Sequence, residues 1–197
     1  MATTARSRQR SSQRSSRATG NSRRTAASSR RAPSRSRRPD ALRMLKEDHQ
    51  RVKQMFDRFE RAQSSSKDQL ARTICEELKV HAQLEEELFY PAVRDAIDDD
   101  ELIEEADVEH ATAKYLIAQI EDSSPSDEHF DAMVKVLGEY IQHHVKEEEG
   151  EIFRKVRRSR LDTAALGERM EDRKSSLTDA MEDGRGMRGR RLFGQSA

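Results

Sequence analysis

Four histidines in this sequence stand where helical spacing calls for an aliphatic side chain. Each lies within its own stripe of apolar residues that recur every three or four positions: His49, His81, His110 and His144. A single histidine on an apolar helix face is most often a hydrogen-bonded core residue. The same feature in four successive stretches instead indicates a shared task, and imidazole is the commonest metal ligand in proteins.

Two glutamates accompany these histidines on the same helix faces. Glu85 follows His81 by four residues and Glu148 follows His144 by four, so each acid points the same way as its histidine. Burying an unpaired carboxylate costs several kcal/mol, whereas a whole domain has a net stability of about 5–15 kcal/mol. A pair of cations that binds both acids removes this cost. The neighbouring glutamates are interpreted as a solvated face: Glu86, Glu87 and Glu147.

The mixture of imidazole and carboxylate ligands favours non-haem iron. A structural zinc site closes with four ligands, whereas this set offers about six. Iron–sulfur clusters need several thiolates, and the chain has one cysteine. A ferritin-like centre needs Glu-x-x-His, and no histidine of the four stripes has a glutamate three residues before it. The residues therefore favour a histidine-rich site for two irons.

The elements that must position these residues are four helices. Polar breaks separate the stripes, and such short connections predict an all-α, antiparallel up-down-up-down four-helix bundle over residues 40–158. Pro91 is expected to kink or end the second helix. The stripes are Leu42, Leu45, His49, Val52, Phe56 and Phe59; Leu70, Ile74, Leu78, His81, Glu85 and Leu88; Ile103, Ala106, His110, Ala113, Ile117 and Ile120; Phe130, Val134, Leu137, Ile141, His144, Glu148 and Ile152.

The segments on either side of the bundle differ from it in composition. Residues 1–39 contain 12 arginines, no lysine and no acid, which leaves 25 basic and 37 acidic residues, a formal charge of −12, for the remainder. This Arg/Ser-rich tail lacks large apolar residues and is predicted to be disordered, with Asp40 as the N-cap of the first helix. A weaker apolar stripe predicts a helical extension within 159–183, lying against the bundle or projecting from it. Residues 184–197 are predicted to be a flexible basic end.

Composition also bears on the compartment. The single cysteine, Cys75, cannot form an intramolecular disulfide, so the fold needs no oxidising environment. No apolar run approaches the length of a membrane helix, and the N-terminus lacks the apolar centre of a secretory signal. We therefore expect a cytoplasmic protein without membrane contact.

Four segments resemble the successive motifs of the haemerythrin-like HHE cation-binding domain: KEDHQRVKQMF, VHAQLEEELFYP, EEADVEHATAKYLIAQI and HHVKEEEGEIF. The resemblance covers roughly residues 41–158 and implies two oxo- or hydroxo-bridged non-haem irons. It implies that His49, His81, His110 and His144 are terminal ligands and that Glu85 and Glu148 bridge the metals. In oxygen carriers of this family the last acid stands one residue later, which here is Glu149; a π-bulge could bring Glu149 into that place.

One departure from the oxygen carriers concerns the function. Their second histidine on the third helix corresponds to Lys114, which favours binding or sensing of O2, iron or reactive oxygen and nitrogen species over oxygen transport. A first alternative is an enzyme that consumes peroxide or nitric oxide, with Tyr90, Tyr115 or Tyr140 as redox-active side chains. A second is an adaptor that contacts nucleic acid nonspecifically through residues 1–39, because arginine-rich segments bind phosphates.

Overall fold

The computed structural model describes the backbone of residues 39–193 and the side chains as far as Asp183. This part of the chain contains helices and no strand. Two five-residue π-helical segments, Glu85–Phe89 and Glu148–Ile152, continue α2 into α3 and α5 into α6. The helices are α1 Ala41–Glu60, α2 Ser64–Leu84, α3 Tyr90–Ala96, α4 Asp100–Glu121, α5 Phe130–Glu147, α6 Phe153–Val156 and α7 Thr163–Phe193.

Four bundle helices follow from this order: α1, the continuous α2–α3, α4, and the continuous α5–α6. Each contacts its neighbours, with α1 beside α2, α2 beside α4, α4 beside α5, and α5 back beside α1. The predicted antiparallel four-helix bundle is confirmed. None of the described helices is long and apolar enough to cross a lipid bilayer.

Asp40 starts the bundle as the sequence predicts. Its side chain accepts a hydrogen bond from the backbone N–H of Arg43 at 3.1 Å, which satisfies a donor left free at the helix start. Its second carboxylate oxygen accepts a hydrogen bond from the Thr163 hydroxyl at 2.6 Å. One aspartate therefore caps α1 and fixes the beginning of α7.

Over residues 163–181, helix α7 lies against the bundle. It packs on α1, α2 and the first π segment, and it buries Leu166, Met170 and Leu177. The helix also continues past Asp183 to Phe193, where the composition predicts a flexible end. The glycines of that end lower helix propensity, but no proline is present to forbid a helix. The prediction for residues 1–38 lies outside the described residues.

The core has two apolar layers with a polar layer between them. The first apolar layer includes Leu45, Leu84 and Phe153, and the second includes Val52, Leu78 and Ile117. The four stripe histidines interrupt the apolar stripes between these layers, and the name histidine layer refers to them below.

The π segments alter the positions that become buried after each candidate glutamate. A π turn adds one residue, so the buried face beyond Glu85 passes to Phe89, Tyr90 and Val93, and the predicted core residue Leu88 is only half-buried. Pro91 does not end the helix, which continues to Ala96. The proline lies in the first turn of α3, directly after the π segment, where a missing N–H is tolerated.

Candidate metal centre

The histidine layer brings together imidazoles from all four bundle helices. Each of the four is at most 7% exposed. The Nε2 atoms of His49 and His81 lie 3.1 Å apart, and those of His110 and His144 lie 3.3 Å apart. The sequence-predicted histidines therefore form two facing pairs at one depth in the bundle.

Glu85 connects the two pairs. Its Oε1 atom lies 3.1 Å from His81 Nε2, and its Oε2 atom lies 3.4 Å from His110 Nε2. Two ligand clusters, His49–His81–Glu85 and Glu85–His110–His144, are thus arranged around one shared carboxylate. Glu148 lies beside them with its Oε2 atom 3.2 Å from His49 Nε2.

These residues fit a pair of cations. Glu85 and Glu148 are at most 1% exposed, and none of their four oxygens has a hydrogen-bond partner among the described residues, although imidazole nitrogens lie close to them. Burial and the nearby Glu85 carboxylate raise the pKa of Glu148. Burial opposes protonation of His81, but Glu85 and Asp48 raise its pKa to about 10. A cation bound at this place would replace such protons and stabilise the two buried carboxylates.

The outer nitrogens of the imidazoles face a second set of acids. His49 Nδ1 donates to Glu149 at 3.0 Å, His110 Nδ1 to Glu86 at 3.0 Å, and His144 Nδ1 to Glu109 at 2.6 Å. His81 Nδ1 lies 3.7 Å from Asp48, which is too far for a hydrogen bond. A proton on Nδ1 leaves a lone pair on Nε2, so in their neutral forms His110 and His144 face each other with two acceptors, an arrangement that suits a cation. The outer carboxylates are Asp48, Glu86, Glu109 and Glu149.

The outer carboxylates form a closed cycle around the bundle. Asp48 on α1 faces the histidine of α2, and Glu86 at the end of α2 faces that of α4. Glu109 on α4 binds the histidine of α5, and Glu149 after α5 binds that of α1. Each bundle helix therefore places an acid on the outer side of the next helix's imidazole, and three of these four contacts are hydrogen bonds.

Lysines neutralise three of the four outer carboxylates. Lys174 donates to Asp48, Lys46 to Glu149, and Lys114 to Glu86. The interpretation of Glu86 as a solvated residue is therefore wrong, because it lies between His110 and Lys114. Lys114 occupies the position of the carriers' extra histidine and binds this acid instead.

The two alternatives for the last acid take different positions. Glu148 is 1% exposed and faces inward, whereas Glu149 lies on the outer side of His49. A π segment begins at Glu148, as another begins at Glu85. The three tyrosines also differ: the Tyr90 hydroxyl lies 3.3 Å from His110 Nε2, Tyr115 is exposed, and Tyr140 packs in the second apolar layer.

A small cavity lies on the other side of the histidine layer from Glu85 and Glu148. Its volume is about 30 Å³, and its wall consists of the four histidines, Asp48, Lys114 and apolar residues that include Val52, Leu78, Ala113 and Ile117. These four apolar residues all belong to the second apolar layer. The cavity has room for one or two water-sized molecules.

Sequence reasoning missed the role of the outer carboxylates: it left Asp48 and Glu109 out of the site, interpreted Glu86 as solvated, and considered Glu149 only as an alternative metal ligand. A signal was present, because each is adjacent in sequence to a predicted ligand: Asp48 to His49, Glu86 to Glu85, Glu109 to His110, and Glu149 to Glu148. Each nevertheless serves a histidine on a different helix, so only the packed bundle reveals its partner.

The fold and the site define a helical bundle with a buried histidine and carboxylate centre that suits cations. The family model for the Hemerythrin HHE cation binding domain matches residues 40–156, and the chain belongs to this family. A curated DNA nickase of Nostoc sp. is 33% identical over 119 residues, which are 60% of this chain and 33% of that protein. The chain thus spans about a third of that relative's length.

A solved structure has a similar fold. It is a Hemerythrin HHE cation binding domain-containing protein from Mycobacterium kansasii, with a TM-score of 0.63 and 22% identity. The match covers 79% of this chain and 94% of that one. At this identity the likeness supports the fold alone.

Proposed function

We propose that the bundle binds two non-haem irons and uses them to bind or sense a small oxidant such as O2 or a reactive oxygen or nitrogen species. The observation that carries the proposal is Glu85, a fully buried carboxylate with one oxygen toward each histidine pair. A carboxylate in this position can bridge two cations. His49 and His81 would hold one, His110 and His144 the other, and Glu148 would be a second bridging ligand.

The donor set supports iron as the metal. Imidazole together with carboxylate suits iron, and two metals that prefer about six ligands each are not saturated by six side chains. Coordination positions are therefore available to an external ligand. When bound, the irons would supply the redox chemistry, and the protein would hold them in a site that excludes bulk water.

The cavity favours a small, uncharged ligand. The carboxylates approach the histidine layer from one side, whereas the apolar cavity of about 30 Å³ adjoins it on the other. A diatomic molecule such as O2 or nitric oxide matches this volume and polarity. Lys114 does not contribute a ligand, because its ammonium group binds Glu86 at 2.6 and 2.5 Å.

Metal analysis with an optical spectrum tests this function. The full chain, loaded anaerobically with ferrous iron and desalted, should hold about two irons and gain near-ultraviolet absorption on exposure to air. Glu85→Gln keeps the shape of the side chain but removes its charge, and should retain less than about one iron. Glu87→Gln is the control, because Glu87 binds Arg173 at the surface. A wild-type chain that remains free of iron contradicts the proposal.

The position of Tyr90 supports a catalytic form of this function. The ring is 2% exposed and its hydroxyl lies 3.3 Å from His110 Nε2, close enough to exchange an electron or a proton with the site. Repeated consumption of peroxide or nitric oxide by the iron-loaded protein, reduced in Tyr90→Phe, would establish an enzyme. A single equivalent bound per site would establish a sensor.

A second candidate function is nonspecific contact with nucleic acid through residues 1–39. The 12 arginines of this segment support it, as does the name of the DNA nickase relative. Binding to DNA at low and high salt should be compared for the full chain and a chain starting at Pro39. Tail-dependent binding that weakens as salt rises supports the proposal, and equal binding by both chains contradicts it.

A further inference from the structure

One of the four outer carboxylates, Glu109, lacks the lysine that pairs with each of the other three. At the outer carboxylate Glu109, one oxygen binds His144 Nδ1 at 2.6 Å and the other lies 3.9 Å from His143 Nε2. Among the described residues, no lysine or arginine pairs with Glu109. The charge of this carboxylate is therefore available to a cation from outside.

A pocket of about 100 Å³ begins at Glu109, between α4 and the end of the fourth bundle helix. It contains a dense group of acids, and no lysine or arginine lines it. The glutamates are Glu105, Glu109, Glu147, Glu148 and Glu151, and His144 forms part of the same wall.

The acids become more buried along the pocket. Glu105 and Glu151 are exposed, Glu109 and Glu147 are half-buried, and Glu148 is 1% exposed. Neither oxygen of Glu148 has a hydrogen-bond partner within the described part of the chain. The pocket thus leads from solvent to a buried, unsatisfied carboxylate that also faces His49.

Three side chains beside this pocket, two of which line it, have the spacing of a cation site. One ligand atom each from Glu109, His143 and Glu147 lies within 4.8 Å of the others, and His143 Nε2 is 3.2 Å from Glu147. His143 is 59% exposed at its side chain, so this group is accessible. One imidazole among carboxylates suits iron or zinc better than magnesium or calcium.

We propose that Glu109, His143 and Glu147 form a weak divalent-cation site at the mouth of the acidic pocket, and that the pocket delivers ferrous iron to the buried centre. The delivery step rests on the proposed function. Acidic residues on low-dielectric walls concentrate cations and raise their association rates about 10- to 1,000-fold at low ionic strength. Each cation would pass from the mouth site along Glu147 to Glu148 and His144.

Delivery is tested by the rate at which the full chain, stripped of metal, takes up ferrous iron under anaerobic conditions. A coloured ferrous chelator measures the iron that is still unbound. The variant Glu105→Gln/Glu147→Gln/Glu151→Gln spares every residue of the buried centre. Uptake should be about tenfold slower or more at low salt, less sensitive to salt, and equal in final iron content. The control Glu60→Gln/Glu128→Gln/Glu139→Gln removes three exposed charges elsewhere and should behave like the wild type.

Calorimetry tests the mouth site, with zinc as the probe and iron-loaded protein as the receptor. We expect one additional weakly bound zinc, lost in His143→Asn and retained in His129→Asn, which changes an exposed histidine outside this group. Equal uptake rates at full iron loading, or no additional zinc, overturn the inference while leaving the proposed function intact. A wild-type chain that takes up no iron overturns both.

Discussion

Lys174 donates to both carboxylate oxygens of Asp48, at 2.6 and 2.5 Å. This contact links α7, which lies outside the four-helix bundle, to an acid that faces His81. Burial opposes ionisation of Asp48, but His81 and Lys174 lower its pKa to about 2. Helix α7 thereby supports the charge balance of the metal centre as well as the apolar core.

Lys174→Met should destabilise the protein. It leaves the buried Asp48 charge with only Arg51 and His81 as basic neighbours, and we expect a loss of about 1–3 kcal/mol in the free energy of unfolding. The neighbouring Arg173→Met is a matched control, because Arg173 pairs with Glu87 at the surface, and its effect on stability should be much smaller. Urea denaturation measures both, and equal losses contradict the buried role of Lys174.

Glu86→Gln should weaken metal binding without abolishing the site. An amide oxygen accepts the hydrogen bond from His110 Nδ1 less strongly than a carboxylate does. The His110 imidazole would therefore be held less firmly and would be less basic at Nε2. We expect about 10- to 100-fold lower iron affinity, measured by competition with a chelator, and full occupancy at excess iron. Glu77→Gln, at a carboxylate that pairs with Arg51, is the control and should leave the affinity unchanged.

Ala113→Val should block the small-ligand cavity. Ala113 lines the space of about 30 Å³, and two additional methyl groups would fill much of it. We expect unchanged iron content, a cost of about 1–3 kcal/mol from tighter packing, and weaker nitric oxide binding in a spectral titration. Ala71→Val, in the same apolar layer but outside the cavity wall, controls for packing. Undiminished nitric oxide affinity would exclude the cavity as the ligand site.

Gly167→Ala should loosen the contact between α7 and the start of α1. A Cβ atom at this position would lie 2.8 Å from the backbone nitrogens of Asp40 and Ala41, and a backbone cannot move aside as a flexible side chain can. We expect a lower melting temperature and a loss of about 1–3 kcal/mol. Gly150→Ala meets no atom within 4 Å and should stabilise by up to about 1 kcal/mol. If both substitutions change the free energy of unfolding in the same direction, this account is contradicted.

Cys75 should be unreactive until the protein unfolds. Burial raises the pKa of its thiol to about 12, from an ordinary value of 9.0. The folded state then holds the proton more tightly than the unfolded state, so Cys75 contributes stability below pH 9 that is lost between pH 9 and 12. A thiol reagent should label the chain in denaturant but not without it. In Cys75→Ala the decline in stability above pH 9 should be shallower.

The bundle and the inward position of the six candidate ligands could be predicted from the sequence because both depend on local spacing. A histidine at the 3–4 repeat faces the core wherever the helix remains α-helical, and this holds as far as His81 and His144. The π segments after them could not be read in the same way. An i→i+5 turn has no residue signature of its own, and it moved the core from Leu88 to Phe89 and Tyr90.

The cycle of outer carboxylates depends on information that spacing cannot carry. Glu109 adjoins His110 in the chain but binds His144 across the bundle. Which acid meets which imidazole is decided by the relative rotation of packed helices. That rotation is a tertiary property, and a helical stripe defines it only to within a residue or so.

The cycle also restricts how the bundle can adjust. If α1 turned about its own axis, His49 would leave its partner Glu149, and Asp48 would at the same time move away from His81. The disturbance would therefore reach both neighbouring helices, and each of them has a further contact of this kind with α4. The rotational settings of the four helices are interdependent, so substitutions that shift one helix should perturb the spectra of both proposed metal positions together.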